Sequence, residues 1–217
     1  PEESFRWRVH DYPHYLAKWN YHPEYELHLA ISTSGTMMVG DFLGDFEPGN
    51  LILTGPNVPH NWVSNIPPGE LVRGRDMIVQ FTPDFAEKVA GFCPELSAVR
   101  ALFDDAAFGV QFSGATAAAG RKLLAEIGPA KGAERVVLFL RLLDALSSNP
   151  AERLRLSRLA PAYKAELPQS IDAAMRYMNE AHADDLDLEA VAACAGLTPQ
   201  TFSRLFKRQT GHTFASY

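Results

Sequence analysis

A chain of 217 residues, 47% of them hydrophobic, has room for one large domain or for a medium and a small one, and it is too apolar to be disordered throughout. No apolar run approaches the roughly 20 residues a membrane span needs, and no secretory hydrophobic segment opens the chain, so no membrane partner is expected. The formal net charge of −6, from 20 basic and 26 acidic side chains, argues against nucleic acid only if positive charge is evenly spread, and it is not.

In chain order, the first feature is a row of polar residues at alternate positions: Asn20, His22, Glu24, Glu26 and His28. Side chains alternate faces along a strand, so a regular strand here points all five the same way. Such a row cannot form dry core without partners; it lines a polar cavity, faces water or holds a cation. Short runs of strand type follow at 25–32, 36–42, 50–54 and 71–81, separated by Ser34-Gly35, Pro48-Gly49, Gly55-Pro56 and Pro67-Pro68-Gly69. Regularly spaced short strands with Gly/Pro turns predict a sandwich or barrel.

At Thr82 the pattern changes. Thr82 is a helix cap with Pro83 at the first helical position, and a second short helix is expected over 95–103. Two longer helices follow. The stretch 115–127 carries Ala118, Leu123, Leu124 and Ile127 on one side. The stretch 133–146 is apolar around much of its circumference, through Val136, Val137, Phe139, Leu140, Leu142, Leu143 and Leu146. A helix this apolar must be covered on more than one side. Either the pair closes its own domain or it also joins two chains, with Phe139 and Leu143 in the contact. Residues 149–167, with Pro150 and Pro161 in a polar, Arg-containing stretch, are expected to be a linker.

From 168 the elements are short and helical. Ile171, Ala174, Met175 and Met178 make an apolar stripe. Asp187 caps a second helix bearing Leu188, Val191, Ala192 and Ala195. Gly196 supplies the turn, and Thr198 and Pro199 open a third helix. The third helix buries Phe202, Leu205 and Phe206, leaves Gln200, Thr201, Ser203, Arg204, Lys207 and Arg208 outside, and ends at Gly211. Acids in this segment precede the turn, and three of its four bases follow it. A helix, a glycine turn and a basic helix form the DNA-reading helix-turn-helix, though a non-DNA packing module has the same elements.

The run from Leu188 to Tyr217, LEAVAACAGLTPQTFSRLFKRQTGHTFASY, resembles the first helix-turn-helix of the AraC family of bacterial transcription regulators almost throughout. That resemblance implies that Gln200, Ser203 and Arg204 face base edges of double-stranded DNA. The family continues with a connecting helix and a second helix-turn-helix, so a chain ending at Tyr217 is expected to lack them; it also opens at Pro1 without methionine and is expected to be trimmed.

The run WNYHPEYELH, 19–28, resembles the opening of the sensor barrel in such regulators, and GPNVPHNW, 55–62, resembles its partner strand pair. Both are similar to weakened cupin metal motifs. The cupin pattern has two histidines separated by one residue and a glutamate four positions later. Asn20, His22 and Glu26 keep that spacing, with Asn20 in place of the first histidine, and His60 matches the ligand of the second motif. His22, Glu26 and His60 would make a two-histidine, one-carboxylate set for zinc or another divalent ion. The alternative is a metal-free pocket, with Tyr21, Tyr25 and Trp62 as walls.

The expected architecture is therefore α+β. A cupin-like barrel with two short helices spans 1–112, a helical dimerisation segment 113–148, a linker 149–167 and a helix-turn-helix unit 168–217. The leading functional expectation is a DNA-binding regulator, homodimeric, whose small-molecule effector sits among Asn20, His22, Glu24, Glu26, His28 and His60. The competing expectation is a metal-dependent cupin enzyme of dioxygenase or isomerase type with an accessory tail; a plain dimerisation module is a third. Two cysteines far apart, Cys93 and Cys194, argue against a disulfide framework and fit a reducing cytoplasm better.

Overall fold

The computed structural model describes residues 3–13, 20–158, 174, 177–178, 187–210 and 213–214, with the side chains of 208–210 excepted. The described strands are β1 (Arg6–Tyr12), β2 (Tyr25–Ala30), β3 (Gly35–Val39), β4 (Phe42–Phe46), β5 (Leu51–Thr54), β6 (His60–Ser64), β7 (Val72–Phe81), β8 (Val110–Phe112) and β9 (Arg153–Arg155). They form two antiparallel sheets, one ordered β1-β7-β2-β5-β8-β9 and the other β4-β3-β6. The expected strand over 36–42 is instead a hairpin, because Gly40 and Asp41 turn the chain from β3 into β4.

Alternation in β2 explains the layering. Tyr25, Leu27 and Leu29 pair with Phe81, Val79 and Met77 on one face, where they meet the helices. Glu26, His28 and Ala30 pair with Gln80, Ile78 and Asp76 on the other. On that second face lies an apolar half-core of Ala30, Met37, Val39, Phe46, Ile52, Val58, Trp62 and Leu156 from both sheets. The interior is thus part apolar and part polar, and the polar part surrounds Glu26 and His28.

Four helices cover the outer face of the larger sheet: α1 (Pro83–Ala90), α2 (Ser97–Ala106), α3 (Gly114–Ile127) and α4 (Gly132–Ser147). Thr82 caps α1 by accepting from the Phe85 amide, with Pro83 at the first helical position, as expected. The seam of α3 is Thr116, Ala117, Gly120, Leu123, Leu124 and Ile127; Ala118, expected beside them, is exposed.

The helix α4 corrects a sequence expectation. Phe139 and Leu143 are fully buried, and Phe139 stacks on Phe5 with ring centroids 4.4 Å apart. Both belong to the protomer's own core. The exposed large apolar side chains of α4 are Val136 and Val137.

The expected linker over 149–167 is ordered at its start. Asn149 caps a short 3₁₀ turn, β9 pairs with β8, and Leu156 is buried. Glu152 accepts from the amides of Ala115 and Thr116 and so caps α3. Asp105 on α2 pairs with Arg153 and Arg155, and Asp41 accepts from the hydroxyl of Ser157 and the amide of Arg158. Residues 149–158 therefore belong to the two-sheet domain; the rest of the expected linker, like Ile171 and Met175 of the first expected helix of the tail, lies outside the described residues.

In the carboxy-terminal unit, Ala174 and Met178 are helical and buried. They share an apolar cluster with α5 (Leu188–Cys194) and α6 (Pro199–Thr210), which contributes Phe202 and Phe206. Asp187 caps α5 by accepting from the Ala190 amide. Gly196 turns the chain at φ +65°, a conformation that costs a side chain-bearing residue more than glycine. Among the described residues no helix is long and apolar enough to cross a membrane.

Candidate functional site

Between the two sheets lies a cavity of about 320 Å³. Its lining includes all six expected pocket residues, Asn20, His22, Glu24, Glu26, His28 and His60, together with Tyr21 and Trp62. Glu26 and His28 on β2, and His60 on β6, reach it through regular strand alternation. Residues 21–24 are irregular, and two anchors bring His22 in instead. Asn20 and His60 exchange backbone hydrogen bonds at 3.2 and 3.0 Å, and the Asn57 amide donates to the His22 carbonyl at 2.8 Å.

The result is a tight group. His22 Nε2 lies 3.2 Å from Glu26 Oε2, and His60 Nε2 lies 3.6 Å from Glu26 Oε1. Gln80, opposite Glu26 in the register, donates to Glu26 Oε2 at 2.7 Å. Glu24 Oε2 stands 3.4 Å from His22 Nδ1. His60 Nδ1 is 2.8 Å from the carbonyl of Val58. A carbonyl only accepts, so the ring proton sits on Nδ1 and the lone pair of Nε2 faces Glu26.

Beside this group lies a second one. The His28 ring stacks on Trp62 at 3.8 Å, and its Nε2 is 3.2 Å from Asp76 Oδ1. Asp76 Oδ2 pairs with Arg75 Nη2 at 2.8 Å, and the Arg75 guanidinium lies over the Tyr12 ring at 4.5 Å. Consecutive residues both enter the interior because β7 bulges here. The pairing passes from His10–Asp76 to Tyr12–Val72, and Gly74 takes a φ of +61° while its amide donates to Asp11.

Burial opposes charge throughout the cluster, and neighbours decide each outcome. At Glu26 the penalty of burial is outweighed by the His22 hydrogen bond and the surrounding imidazoles, which hold the carboxyl well below the usual carboxylate range. At His22 burial pulls down, but the Glu26 bond and the charges of Glu26 and Glu24 win and raise the imidazole. At His60 burial prevails over the pull of Glu26 and takes the group to about 4.

An unfolded histidine titrates near 6.5, so neutral His60 contributes stability that is fully present above that pH and lost as pH falls towards 4. The loss amounts to about 3 kcal/mol at most. Glu26 stays ionised across this window, and raised His22 acts oppositely, its contribution disappearing as pH rises. Urea denaturation at about pH 7 and about pH 4.5 should therefore show a smaller acid loss for His60→Gln than for the parent. Equal losses would place the acid sensitivity elsewhere.

The second candidate surface is α6. Thr198 caps it, its hydroxyl accepting from the Thr201 amide at 3.3 Å and lying 3.0 Å from the Thr201 hydroxyl. Phe202 and Phe206 are buried, whereas Gln200, Arg204 and Lys207 are exposed and Thr201 and Ser203 half-buried. Positions 200, 203, 204 and 207 follow helical spacing, so they share the face away from the phenylalanines. Arg208 lies on α6, with its side chain outside the described residues.

No protein-family model matches the chain. No curated protein matches it either. Among solved structures, apo ToxT K231A from Vibrio cholerae gives a TM-score of 0.45 at 8% identity, covering 100% of this chain and 97% of that one. Wild-type ToxT from Vibrio cholerae bound to an unsaturated fatty acid gives 0.45 at 10% identity, covering 97% and 93%. The AraC-like transcriptional activator CuxR gives 0.39 at 13% identity, covering 94% and 69%. At these scores the likeness decides nothing about function, which rests on the chain's own residues.

Several lining residues were not singled out by the sequence. Arg6 and His10 on β1, and Arg75, Asp76 and Gln80 on β7, enter the cavity through pairing with distant strands. Period two along 76–80 was the one clue available for Asp76 and Gln80. Tyr25, an expected wall, instead stacks on Phe81 on the helix-facing side.

Proposed function

We propose that the chain is an effector-controlled, DNA-binding transcription regulator of the AraC type and not an enzyme. The observation that carries this reading is α6, where capping, the Gly196 turn and the stripe of Gln200, Ser203, Arg204 and Lys207 coincide with the sequence resemblance. A small molecule in the barrel cavity biases how paired reading helices sit on two half-sites. Pairing uses the exposed valines of α4 in a homodimer, Val136 and Val137. Cys93 and Cys194 are free thiols, in keeping with a reducing cytoplasm as the compartment.

In this reading Arg204 reads a base edge through two bonds to guanine, and Lys207 contacts phosphate. In the full-length protein, Arg204→Ala should cost about 1–3 kcal/mol on the cognate site and relax its specificity. Lys207→Ala should weaken all sequences alike and flatten the dependence of affinity on salt. Arg204→Ala with unchanged affinity and sequence preference would refute the assignment. The convergence of His22, Glu26 and His60 favours the competing enzyme reading, which differs by requiring that a cavity ligand be turned over rather than merely bound.

A further inference from the structure

The cavity cluster has one feature that hydrogen bonding leaves unexplained. His60 Nε2 is buried and has no hydrogen-bond partner, although Glu26 Oε1 faces it at 3.6 Å. With the ring proton held at Nδ1 by Val58, that pair sets a lone pair against a carboxylate oxygen. Two acceptors face to face in a buried site repel unless a positive centre lies between them.

One atom each from His22, Glu26 and His60 can be chosen so that all lie within 4.8 Å of one another. We propose that these three residues form a three-ligand site for a first-row divalent cation, zinc or a similar ion, inside the barrel. Ligand atoms about 2.0–2.2 Å from a tetrahedral centre stand roughly 3.3–3.6 Å from each other. The two imidazoles approach different oxygens of the same carboxylate, at 3.2 and 3.6 Å, so closing on an ion means drawing the three side chains in from a set that spans up to 4.8 Å.

The outer partners suit the same role. The Val58 carbonyl fixes the His60 tautomer, Glu24 stands at the far nitrogen of His22, and Gln80 holds one oxygen of Glu26. Two imidazoles and one carboxylate favour zinc-like ions over calcium or magnesium, which prefer all-oxygen sets. Three protein ligands leave a coordination position for a non-protein donor, so ion and effector would occupy one cavity and the ion would act as co-effector. The site stands independently of the DNA-binding reading, since neither needs the other.

The test uses the 217-residue chain, stripped with chelator and titrated with Zn²⁺ by calorimetry and with Co²⁺ by visible absorbance. The parent should take up one equivalent, unaffected by excess Mg²⁺ or Ca²⁺. His60→Gln and Glu26→Gln should weaken uptake by roughly 10- to 100-fold or more. Glu87→Gln, on the exposed face of α1 and outside the cavity, should bind as the parent does. Should a variant fail to fold, nitrogen-resolved NMR of the parent decides: Zn²⁺ should move Nε2 of His60 and a ring nitrogen of His22 and leave His28 in place. No stoichiometric uptake, uptake unchanged in a folded His60→Gln, or shifts confined to other histidines would overturn the proposal.

Discussion

Replacing Phe139 with glutamate is expected to abolish folding of the two-sheet domain rather than release a monomer. Phe139 is fully buried on α4, stacked on Phe5 at 4.4 Å and edge-on to Phe81 at 5.2 Å. Truncating a buried phenylalanine to alanine costs about 3–5 kcal/mol, and a carboxylate left among aromatic rings adds a further penalty. Whole domains are stable by only about 5–15 kcal/mol. Circular dichroism should show the variant unfolded or retained in aggregates. Val137→Glu on the outer face should keep parental secondary structure, because Val137 is 53% exposed. Sedimentation of Val137→Glu is then the clean test of the α4 pairing, and a folded Phe139→Glu protein would contradict the packing described for this helix.

The difference between these two positions shows what sequence alone conveys. The apolar excess of α4 is legible, but not which side meets the protomer and which is left outside, since the cluster it joins draws on residues from Phe5 to Ile127. Local signals fared better: Thr82-Pro83 and Thr198-Pro199 each cap a helix where they were expected, because a cap needs only its own next three residues. The strand β9 was not legible, because Arg153-Leu154-Arg155 is short and follows a proline that reads as linker; pairing with β8 makes it a strand. The candidate site was half legible. Alternation marks Glu26 and His28, whereas His22 depends on the Asn20–His60 bridge and Gln80 on a register 54 residues away. The Arg75–Asp76 pair depends on the bulge at Gly74, whose glycine alone does not announce it.

That pair carries the second large effect: Asp76→Ala should destabilise the two-sheet domain by about 3–5 kcal/mol. Arg75 and Asp76 are 2% and 5% exposed, so each charge is held away from water largely by the other. Arg75 already leaves Nε and Nη1 without hydrogen-bond partners, its main support being Asp76 Oδ2 at 2.8 Å and the Tyr12 ring. Burial pulls the guanidinium below its ordinary value against the opposing pull of Asp76, yet arginine stays charged at neutral pH. Removing Asp76 therefore strands a cation in the interior and also takes away the partner of His28 Nε2. Replacing the whole pair behaves differently, because a buried ion pair exchanged for apolar groups of similar volume is often neutral. Arg75→Met combined with Asp76→Ala should accordingly lose less stability than Asp76→Ala alone in urea denaturation. If the double variant is instead the less stable of the two, Arg75 contributes through its packing against Tyr12 and Phe46 rather than through its charge.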